Sequence, residues 1–409
     1  MTSNPEIARG PRQMAAPALA APYTPVQGSI GNVIAVVPLL LSVPLMYWPK
    51  LLDGDTQPWV VVGAAIAFMF YWPRRQGAMP KNRLLWMSAL AAVSVGAYAI
   101  RGPEIENLVR YGAVVATFIM LWHVGSRGVP SAFTTAVRIA ILVWFVVGLF
   151  QTVAIRLGIP IEFIGRYTPG RSGVPSLTAE ASFYGSISVL HLMYLLGDNN
   201  RWNRPFCVLA VANVLMSGST LSFLLLLIPA ARLKREYMIL AILGVAVIFV
   251  LGLDFSQSGF FNRLQSFDPG SIGTRILETD PSTNYRFGNI LFAFGSNLWH
   301  EVTFQSSVDF YLDYNTWAAG SRLFLFVDSD FIVTSGGELA YRSGLFGIAI
   351  IVLALKTAYE RASTFTDKVE KVAFVVACML NPVSFANPVF AFFIMKQYQR
   401  FDKRRADVG

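Results

Sequence analysis

The stretch 165–185 carries two arginines and a glutamate between two long apolar runs. Arg166 and Arg171 precede Glu180, which stands among Ala, Ser, Phe, Tyr and Gly at the start of the next run. A guanidinium group binds phosphate or carboxylate through paired hydrogen bonds. A partly desolvated carboxylate can orient a ligand or act as a general base. The stretch therefore predicts one wall of an anion-binding site.

A second set of arginines lies in segment 254–330. Together with segment 156–179 it holds seven arginines and no lysine, a bias toward planar recognition of anions. Alternatively, these arginines only keep the loops soluble and pair with the nine acidic residues of the larger segment. Arg166, Arg171 and Arg286 are the stronger candidates, because each stands beside an apolar helix or an aromatic residue, where an uncompensated cation is poorly solvated.

The acidic residues near apolar runs have structural interpretations as well. Glu180 at a helix start complements the positive end of the helix dipole, and this explains its position almost as well as a role in the site. Glu338 and Arg342 stand four residues apart and are expected to pair across a helical turn. Asp328 and Asp330 are expected to cap the helix that begins after them.

Motifs for metals and nucleotide cofactors are absent from the sequence. It contains no HExxH, no P-loop and no GxGxxG motif followed by an acidic residue. His123, His191 and His300 are far apart, and Cys207 and Cys378 both lie within apolar runs. We therefore expect no metal and no cofactor, and chemistry that depends on charge stabilisation.

The composition indicates what positions these residues. The chain is 54% hydrophobic and 14% charged, and its apolar runs reach the ~20 residues that cross a bilayer. It has a net charge of +9, but the basic residues cluster at the ends of apolar runs, which favours a membrane protein over a nucleic-acid-binding one. The predicted fold is an all-α polytopic membrane protein with about 10–12 transmembrane or re-entrant helices and one large external loop.

Basic clusters follow the second, fourth and sixth apolar runs, which places both termini in the cytoplasm. Residues 1–28 are expected to be a disordered cytoplasmic tail. Residues 29–253 should form membrane helices, interrupted by the external loop 156–179. The large external loop 254–330 includes an expected interfacial helix at 287–299. A membrane helix is expected on each side of this loop, at about 237–253 and 331–356, and 331–409 should form the last membrane helices and a basic cytoplasmic tail. The six runs before residue 200 are 30–49, 59–73, 84–100, 108–124, 134–155 and 180–196.

Two stretches are expected to form helical hairpins. In 205–231 each apolar half covers only about 20 Å, so the chain should turn at 217–220. The stretch 372–396 repeats this arrangement around the polar turn 381–388. Such turns must be buried in protein or face water, and whether the hairpins cross or re-enter is left open.

Several motifs in 130–350 resemble those of Wzy-type polymerases of O-antigen and exopolysaccharide, in the broader superfamily that includes O-antigen ligases. The chain differs at Ala181, where that family often has proline. It also has no histidine near Asp328, which favours a polymerase over a ligase unless His300 takes that role. The similar motifs are RSG at 171–173, EASFYG at 180–185, SGSTLS at 217–222, NYR at 284–286, DS at 328–329 and GLFG at 344–347.

The resemblance implies transfer of a growing glycan from undecaprenyl diphosphate to another lipid-linked repeat unit, at the periplasmic face of the bacterial inner membrane. Arg171 and Arg286 would bind the diphosphate, and Glu180 would orient or activate the acceptor. The implied partners are the lipid-linked oligosaccharide, membrane lipids, a chain-length regulator and a flippase. Further substrate-binding candidates are Arg166, Arg263, Arg275, Tyr285 and Asp328, with sugars stacking on Tyr285, Trp299, Tyr311, Tyr314 and Trp317.

Two alternatives stay open. A ligase would move finished glycan to a different acceptor. A transporter or flippase of lipid-linked sugars would use the same arginines only to bind a diphosphate headgroup. An energy-coupled transporter is, however, expected to carry several ionisable groups in mid-membrane, whereas those of this chain gather near the predicted outer surface.

Overall fold

A computed structural model describes twelve ranges of the chain, and their regular secondary structure is helical. This confirms the all-α prediction for the described part of the chain. The expected tail 1–28, the helices expected at 30–49 and 237–253, and most of the expected external loop lie outside it. The described ranges are 59–71, 81–127, 131–159, 173–178, 180–197, 200–230, 281–296, 310–320, 332, 334–360, 365–381 and 386–395.

The first four helices are α1 (Trp59–Tyr71), α2 (Lys81–Ile100), α3 (Ile105–Arg127) and α4 (Ser131–Arg156). They agree with the apolar runs that predicted them. Within the described residues, α2, α3, α4 and Ser335–Glu360 are long and apolar enough to cross a membrane, as a membrane protein requires.

Helix α5 (Ala181–Leu196) lies at the centre of the bundle. Every residue from Phe183 to Leu195 is buried, which explains why the run lacks a polar face. A Cβ atom on Gly185 would lie 2.3 Å from Ser217 Oγ and 2.5 Å from Ser222 Oγ. The absence of a side chain there lets the neighbouring hairpin approach the helix closely.

Both predicted hairpins are present. The first consists of α6 (Arg204–Ser217) and α7 (Thr220–Ala230), with Gly218 in the left-handed region at φ 60° between them. The turn therefore falls within the predicted 217–220. The second consists of α11 (Phe365–Met379) and helical residues 388–395, here called α12, whose rings Phe374 and Phe393 stack 4.1 Å apart. Residues 382–385 between them lie outside the described part of the chain.

The helix expected at about 331–356 is present, and it contains a kink that the sequence did not predict. Helix α10 (Ser335–Glu360) has a non-helical residue, Gly344, with φ 53° and ψ −130°. Across the break, a Cβ atom on Gly347 would lie 1.9 Å from the carbonyl oxygen of Leu339. By length and composition the whole helix could span a membrane. Because of the break, its longest uninterrupted part is residues 345–360, which is about 24 Å long.

Two short helices come from the predicted external loop, α8 (Pro281–Leu291) and α9 (Phe310–Gly320). A π-helical turn, Phe292–Ser296, extends α8. The helix expected at 287–299 therefore begins earlier, at Pro281. Its buried residues Phe292 and Ala293 pack with residues of α9 and α10, so this face is covered by protein.

Candidate anion-binding site

The chain just after Arg171 is fixed on the tip of the first hairpin. Gly173 has φ +104°, and a Cβ atom there would lie 1.9 Å from the carbonyl oxygen of Ser217. The Val174 amide donates a hydrogen bond to the Met216 carbonyl at 3.1 Å. Only glycine fits this approach and this φ. Arg166 and Arg171 themselves lie outside the described residues.

The segment 174–178 is buried, although it belongs to the loop 156–179 that was expected to be external. Its centre is Ser176, whose amide donates to Gln151 Oε1 at 2.7 Å while Gln151 Nε2 donates to the Ser176 carbonyl at 2.9 Å. Ser176 Oγ donates to the Trp144 carbonyl at 2.8 Å. These bonds satisfy the buried backbone and hold the loop against α4.

Glu180 stands at the N-cap of α5, but its side chain makes no capping hydrogen bond. Its backbone is extended, with φ −138° and ψ 151°. Its Oε2 instead accepts a hydrogen bond from Ser182 Oγ at 3.3 Å. The dipole of α5 still favours a negative charge here, but capping by a side-chain hydrogen bond does not account for Glu180.

Arg286 lies against the first turn of α5, 104 residues away in sequence. It is only 3% exposed. Its Nη2 donates to Ser182 Oγ at 3.0 Å, and its guanidinium carbon is 5.9 Å from the centroid of the Phe183 ring. Ser182 Oγ therefore accepts from Arg286 and donates to Glu180, and two of the three predicted catalytic residues share one hydroxyl.

Asn381 is a site residue that sequence reasoning did not select. Its Oδ1 accepts from Arg286 Nη1 at 3.5 Å, and its Nδ2 donates to the Ala377 carbonyl at 2.7 Å. Its own carbonyl accepts from the amide and the hydroxyl of Ser335, at 2.9 and 2.6 Å. The available signal was the asparagine–proline pair that opens the second hairpin turn, which sequence reasoning interpreted only as a turn.

Helices α5 and α10 begin at this group, and α7 and α12 begin close to α5. Helix α5 begins beside Glu180, and α10 begins at Ser335 on the carbonyl of Asn381. Ser222, in the first turn of α7, lies 3.3 Å from Ser186 of α5. Ala386, just before α12, packs with Phe183 in one apolar cluster. Helix N-termini carry partial positive charge, so together with a buried guanidinium they favour an anionic ligand.

The aromatic residues of the expected external loop pack on one another. The rings of Tyr285 and Tyr314 are 6.1 Å apart, and those of Tyr314 and Trp317 are 5.9 Å apart. Tyr314 is 2% exposed, so its faces are covered, whereas Tyr311 is 45% exposed. Burial raises the pKa of Tyr314, and a hydrogen bond with Asn289 partly opposes the rise. Tyr314 was expected to stack against sugars, but its buried ring packs against Tyr285 and Trp317 instead.

Of the other charged residues singled out in the sequence, Glu338 and Arg342 form the predicted i,i+4 ion pair at 3.1 Å. Arg342 also donates to the Tyr98 hydroxyl. Arg263, Arg275, Asp328 and Trp299 lie outside the described residues.

No protein-family model, no curated protein and no solved structure matches the chain.

Proposed function

We propose that this protein is a polysaccharide polymerase. It would transfer a growing glycan from undecaprenyl diphosphate to another lipid-linked repeat unit. In this proposal the chain has about 10–12 transmembrane or re-entrant helices, both termini in the cytoplasm of a bacterium, and Arg286 and Glu180 facing the periplasm from the inner membrane. The large external loop would face the same side.

The observation that carries the proposal is the hydrogen-bonded chain from Arg286 through Ser182 to Glu180. It joins two of the segments whose motifs resemble the polymerase family, 180–185 and 284–286. A buried cation and a carboxylate on one hydroxyl suit a reaction in which an anion leaves and a hydroxyl group attacks.

In the proposed step, the acceptor hydroxyl oxygen attacks the anomeric carbon of the donor glycan. The bond from that carbon to the diphosphate oxygen breaks, and undecaprenyl diphosphate leaves with the electron pair. Arg286 and Arg171 stabilise the charge that develops on the diphosphate, which lowers the barrier to the extent that they bind it more tightly in the transition state. Glu180 accepts the hydroxyl proton and passes it to water.

The test uses purified full-length protein and synthetic lipid-linked repeat units, with product length read by gel or mass spectrometry. Arg286→Ala, Arg171→Ala and Glu180→Gln are expected to lower the rate by about 100-fold or more, as losses of charge-stabilising or proton-transfer groups do. Arg201→Ala serves as the control, because Arg201 is exposed in the connection between α5 and α6. Full-length polymer from all three variants at the control rate contradicts the proposal.

The same protein and substrates, assayed in detergent and in sealed vesicles, separate the alternatives. Bond formation between repeat units in detergent supports the polymerase. Transfer only to a different acceptor supports a ligase. Movement of the lipid-linked unit across a sealed bilayer without a new glycosidic bond supports a transporter.

A further inference from the structure

An apolar groove lies on the outside of the helix bundle, along α11. It has a volume of about 380 Å³, within the range of small-ligand pockets. Helices α7, α10 and α11 form it together. The residues that matter here are Ile228 of α7, Tyr359 of α10, and Lys368, Val369, Val372 and Val376 of α11.

The directions of the helices place the Lys368 end of this groove far from the candidate site. Helix α11 runs from the groove to Asn381, and Lys368 is thirteen residues before Asn381, about 20 Å along a helix. Helix α7 runs from the hairpin tip at Thr220 toward Ile228 in the groove. The groove is thus separate from the Arg286 contacts, and a ligand bound in it would be independent of the proposed function.

Lys368 is the charged residue that lines the groove. Its Nζ lies 4.4 Å from the centroid of the Tyr359 ring and 3.4 Å from the Tyr359 hydroxyl. The nearby carboxylate of Glu360 is bound by Arg83 at 2.6 Å and by Lys356 at 3.8 Å. Among the described residues, the contacts of Lys368 are therefore with a neutral tyrosine, and its ammonium can neutralise a ligand anion.

The groove opens on the outside of the bundle, where lipid surrounds a membrane protein. Phe365 and Val369 are 81% and 50% exposed. A lysine beside a tyrosine at the end of an apolar face is the arrangement found at the level of lipid headgroups. Basic residues at that level attract anionic lipids.

We propose that this groove binds an anionic glycerophospholipid. One acyl chain lies along Val369, Val372 and Val376, and the phosphate contacts Lys368. The bound lipid would fill the space between α7 and α11. It would thereby hold together the two hairpin ends that are farthest from the turns.

The test is photolabelling of the full-length protein in nanodiscs of phosphatidylcholine. Trace phosphatidylglycerol or phosphatidylcholine carries a diazirine on one acyl chain, and adducts are mapped by mass spectrometry. Phosphatidylglycerol is expected to label peptides of α7 and α11 about fivefold more than phosphatidylcholine, from one basic contact. Lys368→Gln should abolish this preference, whereas Lys356→Gln, which removes an exposed lysine outside the groove, should keep it.

Val372 and Ala373 both line the groove. Two groove-filling variants, Val372→Trp and Ala373→Leu, should lower labelling by both probes. Size-exclusion profiles check that each variant is folded. Equal labelling of the wild type by the two probes, or an unchanged preference in Lys368→Gln, overturns the assignment. Labelling by a phosphatidylethanolamine probe as strong as by phosphatidylglycerol overturns the requirement for net negative charge.

Discussion

At the scale of single residues, Ser182 connects the two charged groups of the candidate site. Its hydroxyl donates to Glu180 and accepts from Arg286, so the relative positions of carboxylate and guanidinium depend on one oxygen atom. A serine in this role is inconspicuous in sequence, because the first turn of a helix is an ordinary place for serine. Its importance comes from a residue 104 positions away.

Ser182→Ala removes this oxygen and leaves the helix backbone unchanged. We expect a roughly tenfold lower turnover in the polymerisation assay, because loss of hydrogen bonds to charged groups costs about 1.5–3 kcal/mol. Ser188→Ala is the control, since Ser188 Oγ donates to the Tyr184 carbonyl of its own helix at 2.8 Å. Equal turnover of the two variants would show that Ser182 does not position the site.

Asn381→Asp tests whether the Arg286 guanidinium binds the anionic part of the donor. A carboxylate in place of the amide, 3.5 Å from Arg286 Nη1, would compete with the diphosphate. The KM for the lipid-linked donor is expected to rise about tenfold, in line with about 1.4 kcal/mol of competing interaction.

The matched control is Asn203→Asp. Asn203 Oδ1 accepts from Arg138 at 2.9 and 2.7 Å, so it reproduces the same exchange at the start of α6, away from the site. A KM that rises equally in both variants indicates a general effect of the added charge. An unchanged KM in Asn381→Asp contradicts diphosphate binding by Arg286.

At the scale of elements, glycines decide how closely the segments approach. Gly173 allows the buried loop to contact the hairpin tip at the Ser217 carbonyl. Gly347 likewise packs against the Leu339 carbonyl across the break in α10. The described helices and the turn of the first hairpin could be predicted, because apolar runs and polar turns are local features. The break at Gly344 could not, because hydropathy averages over a run and contains no backbone angles. The GLFG motif at 344–347 was its only trace in the sequence.

Gly173→Ala is expected to destabilise the protein strongly. The added Cβ would lie 1.9 Å from the Ser217 carbonyl oxygen, at a φ of +104°, so the loop or the hairpin must move. Gly158→Ala is the matched control, because Gly158 also has a positive φ of +69° but has nothing within 4 Å. The control should lose only the conformational term of about 1–2 kcal/mol. Thermal unfolding in detergent measures both, and a similar loss in the two variants would contradict the close approach.

At the scale of the whole molecule, the site is assembled from segments that are remote in sequence. Arg286, Ser182, Asn381 and Ser335 come from α8, α5, the second hairpin and α10. Sequence reasoning placed Arg286 and Glu180 in one candidate site, and both side chains contact Ser182 Oγ. Asn381 could not be predicted as a site residue, because no sequence pattern indicates its contact with Arg286, 95 residues away.

Arg101 ties the broken helix α10 to the first half of the chain. Its Nη1 donates to the carbonyls of Tyr341 and Arg342 at 2.7 and 3.4 Å. These carbonyls lie just before the break at Gly344, where a cation complements the C-terminal end of the first half of α10. Ser343 Oγ adds a second tie to α2, donating to the Ser94 carbonyl at 3.0 Å.

Arg101→Gln should therefore lower stability by about 1.5–3 kcal/mol, the cost of losing charge-assisted hydrogen bonds. It should also lower turnover, because the first half of α10 positions Ser335, which donates to the Asn381 carbonyl. The KM for the donor should not change, because Arg286 still donates to Ser182 Oγ. Arg110→Gln, an exposed arginine of α3, is the control for loss of charge alone. Thermal unfolding and steady-state kinetics on both variants separate the outcomes. If Arg101→Gln matches the control in both measurements, the break in α10 is held without Arg101.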